Sequence, residues 1–185
     1  MHRRTSPHLW SRRGMSPRIV LVGVPGSGKT TVGELLSERL GVAFRDTDRD
    51  IEQAEGRSIS DIFVDSGEAA FRALEKSAVA TAVAEHDGVL SLGGGAVLDA
   101  GTRTLLKEQS TVWLHVSAAQ GAKRVGLDVP RPVLLGNVRG RLASLLAERG
   151  PLYQEVAATT IDTDSRDPKA VVDEIVEWLA VGHGE

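Results

Sequence analysis

The sequence predicts an α/β fold built on a mainly parallel sheet, and three observations carry that reading. Short β-branched runs alternate with segments of helical period from Arg18 onward. A glycine-rich turn, Gly23 to Thr30, separates the first run from the first helix. No repeat, low-complexity tract or linker interrupts the series, so residues 18–185 are expected to form a single domain.

Ile19-Val20-Leu21-Val22 is apolar on both faces and ends at Gly23, as a buried central strand should. Val32, Leu35, Leu36 and Leu40 then recur at helical spacing up to Gly41, which can cap the helix end. Residues 43–46 read as a second strand, and 48–55 and 58–65 as short helices. The spacing predicts a longer helix over 67–86, with Phe71, Leu74, Ala78 and Ala82 on one face. Residues 88–92 make a third strand and 111–116 a fourth. Ser117 and Gln120 have the spacing of a capping box at the start of the next helix. Two prolines within residues 127–137 predict a mobile loop, with helix resuming over 138–149. Thr159 to Asp162 is a fifth strand, and Asp167 followed by Pro168 opens a last helix.

Composition narrows the function. The 185 residues are 41% apolar and 25% charged, enough to bury an ordinary core. No apolar run approaches the roughly 20 residues of a membrane span, so no membrane partner is expected. Three Trp, three Phe, one Tyr and a net charge of −3 argue against a nucleic-acid partner. With no cysteine there is no disulfide, thiol nucleophile or cysteine-ligated zinc, which fits a cytoplasmic setting. Residues 1–14 carry Arg3, Arg4, Arg12 and Arg13 and no acid, yet lack the apolar stretch of a secretory signal. Residues 1–17 are therefore read as a disordered basic extension, with Met15 a second candidate start.

Gly23 to Thr30 fits G-x-x-x-x-G-K-[ST] between a strand and a helix. Glycines let successive N–H groups of Gly26, Ser27, Gly28, Lys29, Thr30 and Thr31 face one concavity, where the helix dipole adds positive potential. Lys29 brings a charge to the β and γ phosphates, and the Thr30 hydroxyl suits Mg²⁺. A nucleoside triphosphate with Mg²⁺ is the implied ligand.

Other residues fall at the same sheet edge, where open parallel sheets bind ligands. Asp46 can orient a water on Mg²⁺ while Asp48 accepts a hydrogen bond from a substrate hydroxyl; equally, Thr47 or Asp48 can cap the next helix. Arg72 and Glu75 can pair on one helix face, as a surface ion pair or as a fixed fork for a carboxylate. Gly93, Gly94 and Gly95 either make a plain turn or let backbone approach a small ligand. Lys123, Arg124, Arg131, Arg139, Arg141 and Arg149 gather positive charge in one stretch. Arg131 suits an internal arginine finger on a mobile lid over about 124–138, while Arg139 and Arg141 read as a solvated face. The histidines form no metal or triad pattern and read as structural or surface residues.

Taken together, Gly23 to Thr30, Asp46-Thr47-Asp48, Phe71-Arg72 with Glu75, Gly93-Gly94-Gly95, Arg131-Pro132 and Arg149 with Pro151-Leu152-Tyr153 resemble the shikimate kinase family. The likeness covers about residues 18–180. It implies a three-layer α/β/α fold with a five-stranded parallel sheet of the P-loop kinase type, and a monomer. It also implies ATP-dependent phosphorylation of the 3-hydroxyl of shikimate, in the chorismate route to aromatic amino acids. Catalysis would then rest on Lys29, Asp48 and Arg131. Shikimate would meet Asp48, Arg72, Gly93, Gly94, Gly95 and Arg149, and Arg124, Arg166 and Pro168 would flank adenine. Mg²⁺ would be held by Thr30 and, through water, by Asp46. Thr30 stands where the family more often has serine, which keeps the hydroxyl, and the segment after Pro132 is about one residue short of the pattern. Other expectations remain open. They are a gluconate kinase, a nucleoside monophosphate kinase or a nucleotide-binding regulatory module without transfer activity.

Overall fold

The computed structural model describes residues 16–127 and 135–182. Five strands form one sheet: β1 (Ile19–Val22), β2 (Phe44–Asp46), β3 (Val89–Ser91), β4 (Thr111–His115) and β5 (Thr159–Asp162). Their order is β2-β3-β1-β4-β5 and every pairing is parallel. Parallel neighbours need crossovers, which the helices supply. These are α1 (Lys29–Leu40), α2 (Thr47–Glu55), α3 (Ile59–Ser66), α4 (Glu68–Glu85), α5 (Ala100–Lys107), α6 (Ala118–Leu127), α7 (Leu135–Val156) and α8 (Pro168–Val181). None is long and apolar enough to cross a membrane.

Alternation along the strands divides the core into two layers. Ile19, Leu21, Val89, Val112, Leu114 and Ile161 join Val32 and Leu36 of α1 and Val171, Val172 and Ile175 of α8. Val20, Val22 and Leu90 look the other way, onto Val79, Ala82 and Val83 of α4, Leu106 of α5, and Leu142, Tyr153 and Val156 of α7. The predicted α/β/α layering is present. A smaller cluster of Ile51, Ile62 and Phe71 ties α2 and α3 to the front of α4. The predicted face of α4 is thus split, because Phe71, Leu74 and Ala78 serve this cluster while Val79, Ala82 and Val83 serve the sheet.

Local expectations mostly hold, with five corrections. Asp46 itself caps α2, accepting from the amides of Asp48 (2.9 Å) and Arg49 (3.3 Å), so neither Thr47 nor Asp48 is the cap. Helix α5 has no counterpart in the sequence reading; its eight residues are too few for a clear period, although Asp99 caps it through Thr102. Helix α7 runs on to Val156 rather than stopping near 149. Pro151 offers no N–H to the preceding turn, which favours a stop there, but Tyr153 and Val156 beyond it are buried in the core and carry the helix on. Arg124 to Leu127 and Leu135 to Val138, the flanks of the expected lid, are helical. Residues 128–134 of that lid, Arg131 included, lie outside the described residues, as do residues 1–15 of the expected extension. Ser16 and Pro17 depart from that extension: Ser16 Oγ donates to Gln109 (2.7 Å), and Pro17 is buried.

Candidate active site

Because β2, β3 and β1 are neighbours, the segments that leave their carboxyl ends must meet. They are Asp46 to Asp48, Gly93 to Gly95 and the turn before α1. Residues far apart in the chain are thereby gathered.

In the turn, Gly26 and Gly28 adopt φ values of +82° and +92°, open to glycine at no cost. A Cβ on Gly26 would also stand 2.7 Å from the Gly121 carbonyl oxygen of α6. Gly28 leads into α1 with no side-chain cap, so the first-turn amides remain for an anion, with Ser27 buried and Thr30 and Thr31 exposed. Lys29 Nζ donates to the carbonyls of Gly23 (2.7 Å) and Val24 (3.1 Å). Burial pushes its ammonium down to about 8, against the pull of Asp48 and Asp46.

Both hydrogen bonds that Asp46 accepts fall on Oδ1. Thr47 is fully buried, and its Oγ1 accepts from the Gly93 amide (3.4 Å), pinning the triple glycine to the start of α2. Asp48 Oδ1 is buried without a partner. Burial first, then the carboxylates of Asp46 and Glu75, push Asp48 up to about 6, with Lys29 opposing.

From α4, Arg72 Nη1 donates to Glu75 Oε1 at 2.7 Å, and its guanidinium lies 5.2 Å from the Phe71 ring centre. Glu75 is only 3% exposed, so this is no surface pair. Burial pushes Glu75 upward while Arg72 and then Arg149 hold it down. Arg149 Nε is buried without a hydrogen-bond partner, while Arg72 Nε lies 3.5 Å from Glu68 Oε1.

The triple glycine is the floor beneath these groups. A Cβ on Gly93 would stand 2.6 Å from Asp48 Oδ1, one on Gly94 would stand 3.4 Å from Arg149 Nη1, and one on Gly95 would collide with the Arg72 guanidinium. The absence of side chains at these three positions thus makes room for the Asp48, Arg149 and Arg72 side chains. Buried polar atoms are normally paired, and Asp48 Oδ1 and Arg149 Nε here are not.

The residues expected near adenine lie on the far side of the turn. Arg124 donates to Gly26 O (3.1 Å), Thr163 Oγ1 (3.0 Å) and Thr163 O (2.6 Å), lashing α6 to the turn and to the loop after β5. Arg166 is folded onto Asp162 O (3.0 Å) and Glu174 (2.6 Å), and Pro168 starts α8 behind the Asp167 cap. Arg139 and Arg141 are exposed, as expected. The sequence assigns nothing to Thr163, offers Thr47 only as a helix cap and includes Tyr153 only within the family likeness. Only Tyr153 left a usable signal, standing four residues after Arg149 on one helix.

Asp48 carries a consequence for the ligand-free protein. Its folded pKa, about 6, exceeds the ordinary 3.8, so the folded state holds the extra proton between those values. Stability contributed by this group is present below about 4 and lost as pH rises through about 6. The difference in unfolding midpoint between wild type and Asp48→Asn should therefore change across that window, read by denaturant titration at a series of pH values. A pH-independent difference would contradict it.

The shikimate kinase family model matches residues 25–180. A shikimate kinase of Saccharopolyspora erythraea is 58% identical over 164 residues, covering 88% of this chain and 94% of its own length. One of Mycobacterium tuberculosis is 50% identical over 168 residues, covering 90% and 96%. The chain belongs to the shikimate kinase family. The solved shikimate kinase of Acinetobacter baumannii in complex with shikimate has a TM-score of 0.84 at 35% identity, covering 92% of this chain and 96% of that one. A gluconokinase from Sinorhizobium meliloti matches with a TM-score of 0.54 at 25% identity, covering 91% and 94%. The fold is that of the P-loop kinases, and membership of the shikimate kinase family makes this chain an ATP-using phosphotransferase acting on a small molecule.

Proposed function

We propose that residues 18–185 act as one kinase domain, which transfers the γ-phosphoryl group of ATP to the 3-hydroxyl of shikimate, giving shikimate 3-phosphate and ADP. The observation that carries this reading is the convergence of Asp48, Arg72 and Arg149 on the glycine floor beside the P-loop, with Asp48 Oδ1 and Arg149 Nε buried and without hydrogen-bond partners. One carboxylate beside two guanidinium groups suits a hydroxylated acid, whose hydroxyl goes to Asp48 and whose carboxylate goes to the arginines. A gluconate also has hydroxyls and a carboxylate, but the gluconokinase likeness is the weaker one by TM-score.

The P-loop amides and Lys29 hold the phosphates. On binding, Lys29 exchanges the carbonyls of Gly23 and Val24 for phosphate oxygens. The exposed Thr30 hydroxyl and, through water, the free Oδ2 side of Asp46 would hold Mg²⁺. That ion neutralises phosphate charge when bound. Asp48 orients the attacking hydroxyl and takes its proton as the oxygen bonds to phosphorus and ADP departs. Arg124 and Arg166 flank adenine with Pro168, and Arg131 meets the phosphates. The family's usual setting, a monomer in the cytoplasm, belongs to the same proposal.

A coupled ADP-release assay offering shikimate, gluconate and AMP in parallel tests it. ADP release with shikimate alone is expected, and release with only gluconate or AMP would reassign the acceptor. Arg72→Ala should raise KM for shikimate strongly and leave KM for ATP nearly unchanged, because it removes one side of the acid clamp. Equal damage to both constants would place Arg72 outside that clamp.

A further inference from the structure

Tyr153 is the chain's single tyrosine, and the reaction described above gives it no role. Its side chain is fully buried, with the ring 5.7 Å from that of Trp113. The hydroxyl donates to the Gly94 carbonyl at 2.6 Å. Arg149 stands one turn earlier on α7, four residues before Tyr153 and so on the same helix face. Gly94 in turn faces Arg149 Nη1. Tyr153 and Arg149 thus both meet Gly94 from one face of α7.

We propose that Tyr153 is a positioning residue for the substrate carboxylate, holding the Gly94–Gly95 peptide in its binding orientation beside the Arg149 guanidinium. Three consecutive glycines are the freest backbone the chain can have; Thr47 holds the Gly93 amide and the following turn holds the Gly93 and Gly95 carbonyls, while Tyr153 supplies the hold on the Gly94 carbonyl between them. Fixing the Gly94 carbonyl fixes the whole peptide plane, since a trans peptide directs the Gly95 N–H away from its carbonyl and so away from Tyr153. Without the anchor the loop must be ordered at each binding event, and the acid bears that cost. In the proposed arrangement the nucleotide phosphates rest on the P-loop amides and Lys29 rather than on the Gly94–Gly95 peptide, so nucleotide binding should change little. The inference rests on the proposed acceptor being a small carboxylic acid.

Tyr153→Phe keeps the ring against Trp113 and removes the hydroxyl. KM for shikimate should rise about tenfold, the effect of one hydrogen bond of ordinary strength. KM for ATP should stay within about twofold, because the hydroxyl holds the Gly94 carbonyl and not the P-loop amides or Lys29 proposed to bind the phosphates. Parallel shifts in both constants, or no shift in either, would reduce Tyr153 to core packing. Since there is one tyrosine, 3-fluorotyrosine labels this position alone and supplies a second readout should the Phe variant fail to fold. Its ¹⁹F resonance is expected to move on adding shikimate and to stay put on adding ADP. A resonance unmoved by shikimate, or moved equally by ADP, overturns the inference. Wild-type protein that releases no ADP with shikimate would instead defeat the proposed acceptor; an active wild type with unchanged Tyr153→Phe constants defeats this inference alone.

Discussion

Arg131→Ala is expected to lower kcat by roughly 10³–10⁵-fold, the range over which an arginine finger acts on phosphoryl transfer. The described residues explain why such a group is needed. The transferred phosphoryl spreads charge over its equatorial oxygens, and positioned cations stabilise it. Lys29 is one. Arg124 is close but already spends its guanidinium on Gly26 and Thr163, where it braces the turn. Arg72 and Arg149 stand over the glycine floor, where the proposed role for both is to hold the acceptor. The chain between α6 and α7 contains one cationic residue, Arg131, and α6, which leads into it, packs against the turn through the Gly26–Gly121 approach. Steady-state kinetics with saturating acid separates the effects, because loss of a transition-state contact lowers kcat with little change in KM. Near-normal kcat in this variant would remove Arg131 from the catalytic set.

Asp48→Asn is expected to lower kcat by roughly 10²–10⁴-fold, the usual contribution of a positioned acid–base group. The replacement keeps the shape over Gly93 and removes the charge that attracts the acceptor hydroxyl. It should also change the pH profile. Free Asp48 titrates near 6, so kcat/KM for the acid should rise with pH through about 6 and level off above it, since the ionised form accepts the proton. In the Asn variant that acidic limb should vanish. If the limb survived, another group would carry the titration, with Glu75 the first to examine because burial raises it as well.

Some of this was legible in the chain itself. The strand-to-helix turn with Gly26, Gly28 and Lys29 is a contiguous motif whose chemistry is local, so spacing alone identified the phosphate site and the structure added only its geometry. Period and punctuation located all five strands and most helices: burial on both faces leaves β1 and β3 as short apolar runs, while β2 and β5, less buried, are located by their place in the alternation. Asp46, Asp48, Arg72 and Gly93 to Gly95 were each ambiguous alone. Capping, a surface ion pair and a plain turn explain the same letters equally well.

What separated those readings was the strand order. With β3 placed between β2 and β1, the ends of three strands adjoin, and Gly93, Gly94 and Gly95 come to lie under Asp48, Arg149 and Arg72 in turn. Spacing along the chain could not state that Glu75 is buried, that Asp46 is the cap, or that α7 continues past Pro151 to seat Tyr153 on Gly94. Each depends on contacts between segments tens of residues apart, whose energies are decided by burial and pairing in the assembled core. A sequence displays its local preferences openly, while the environment that shifts a carboxylate or strands a guanidinium exists only after the layers close.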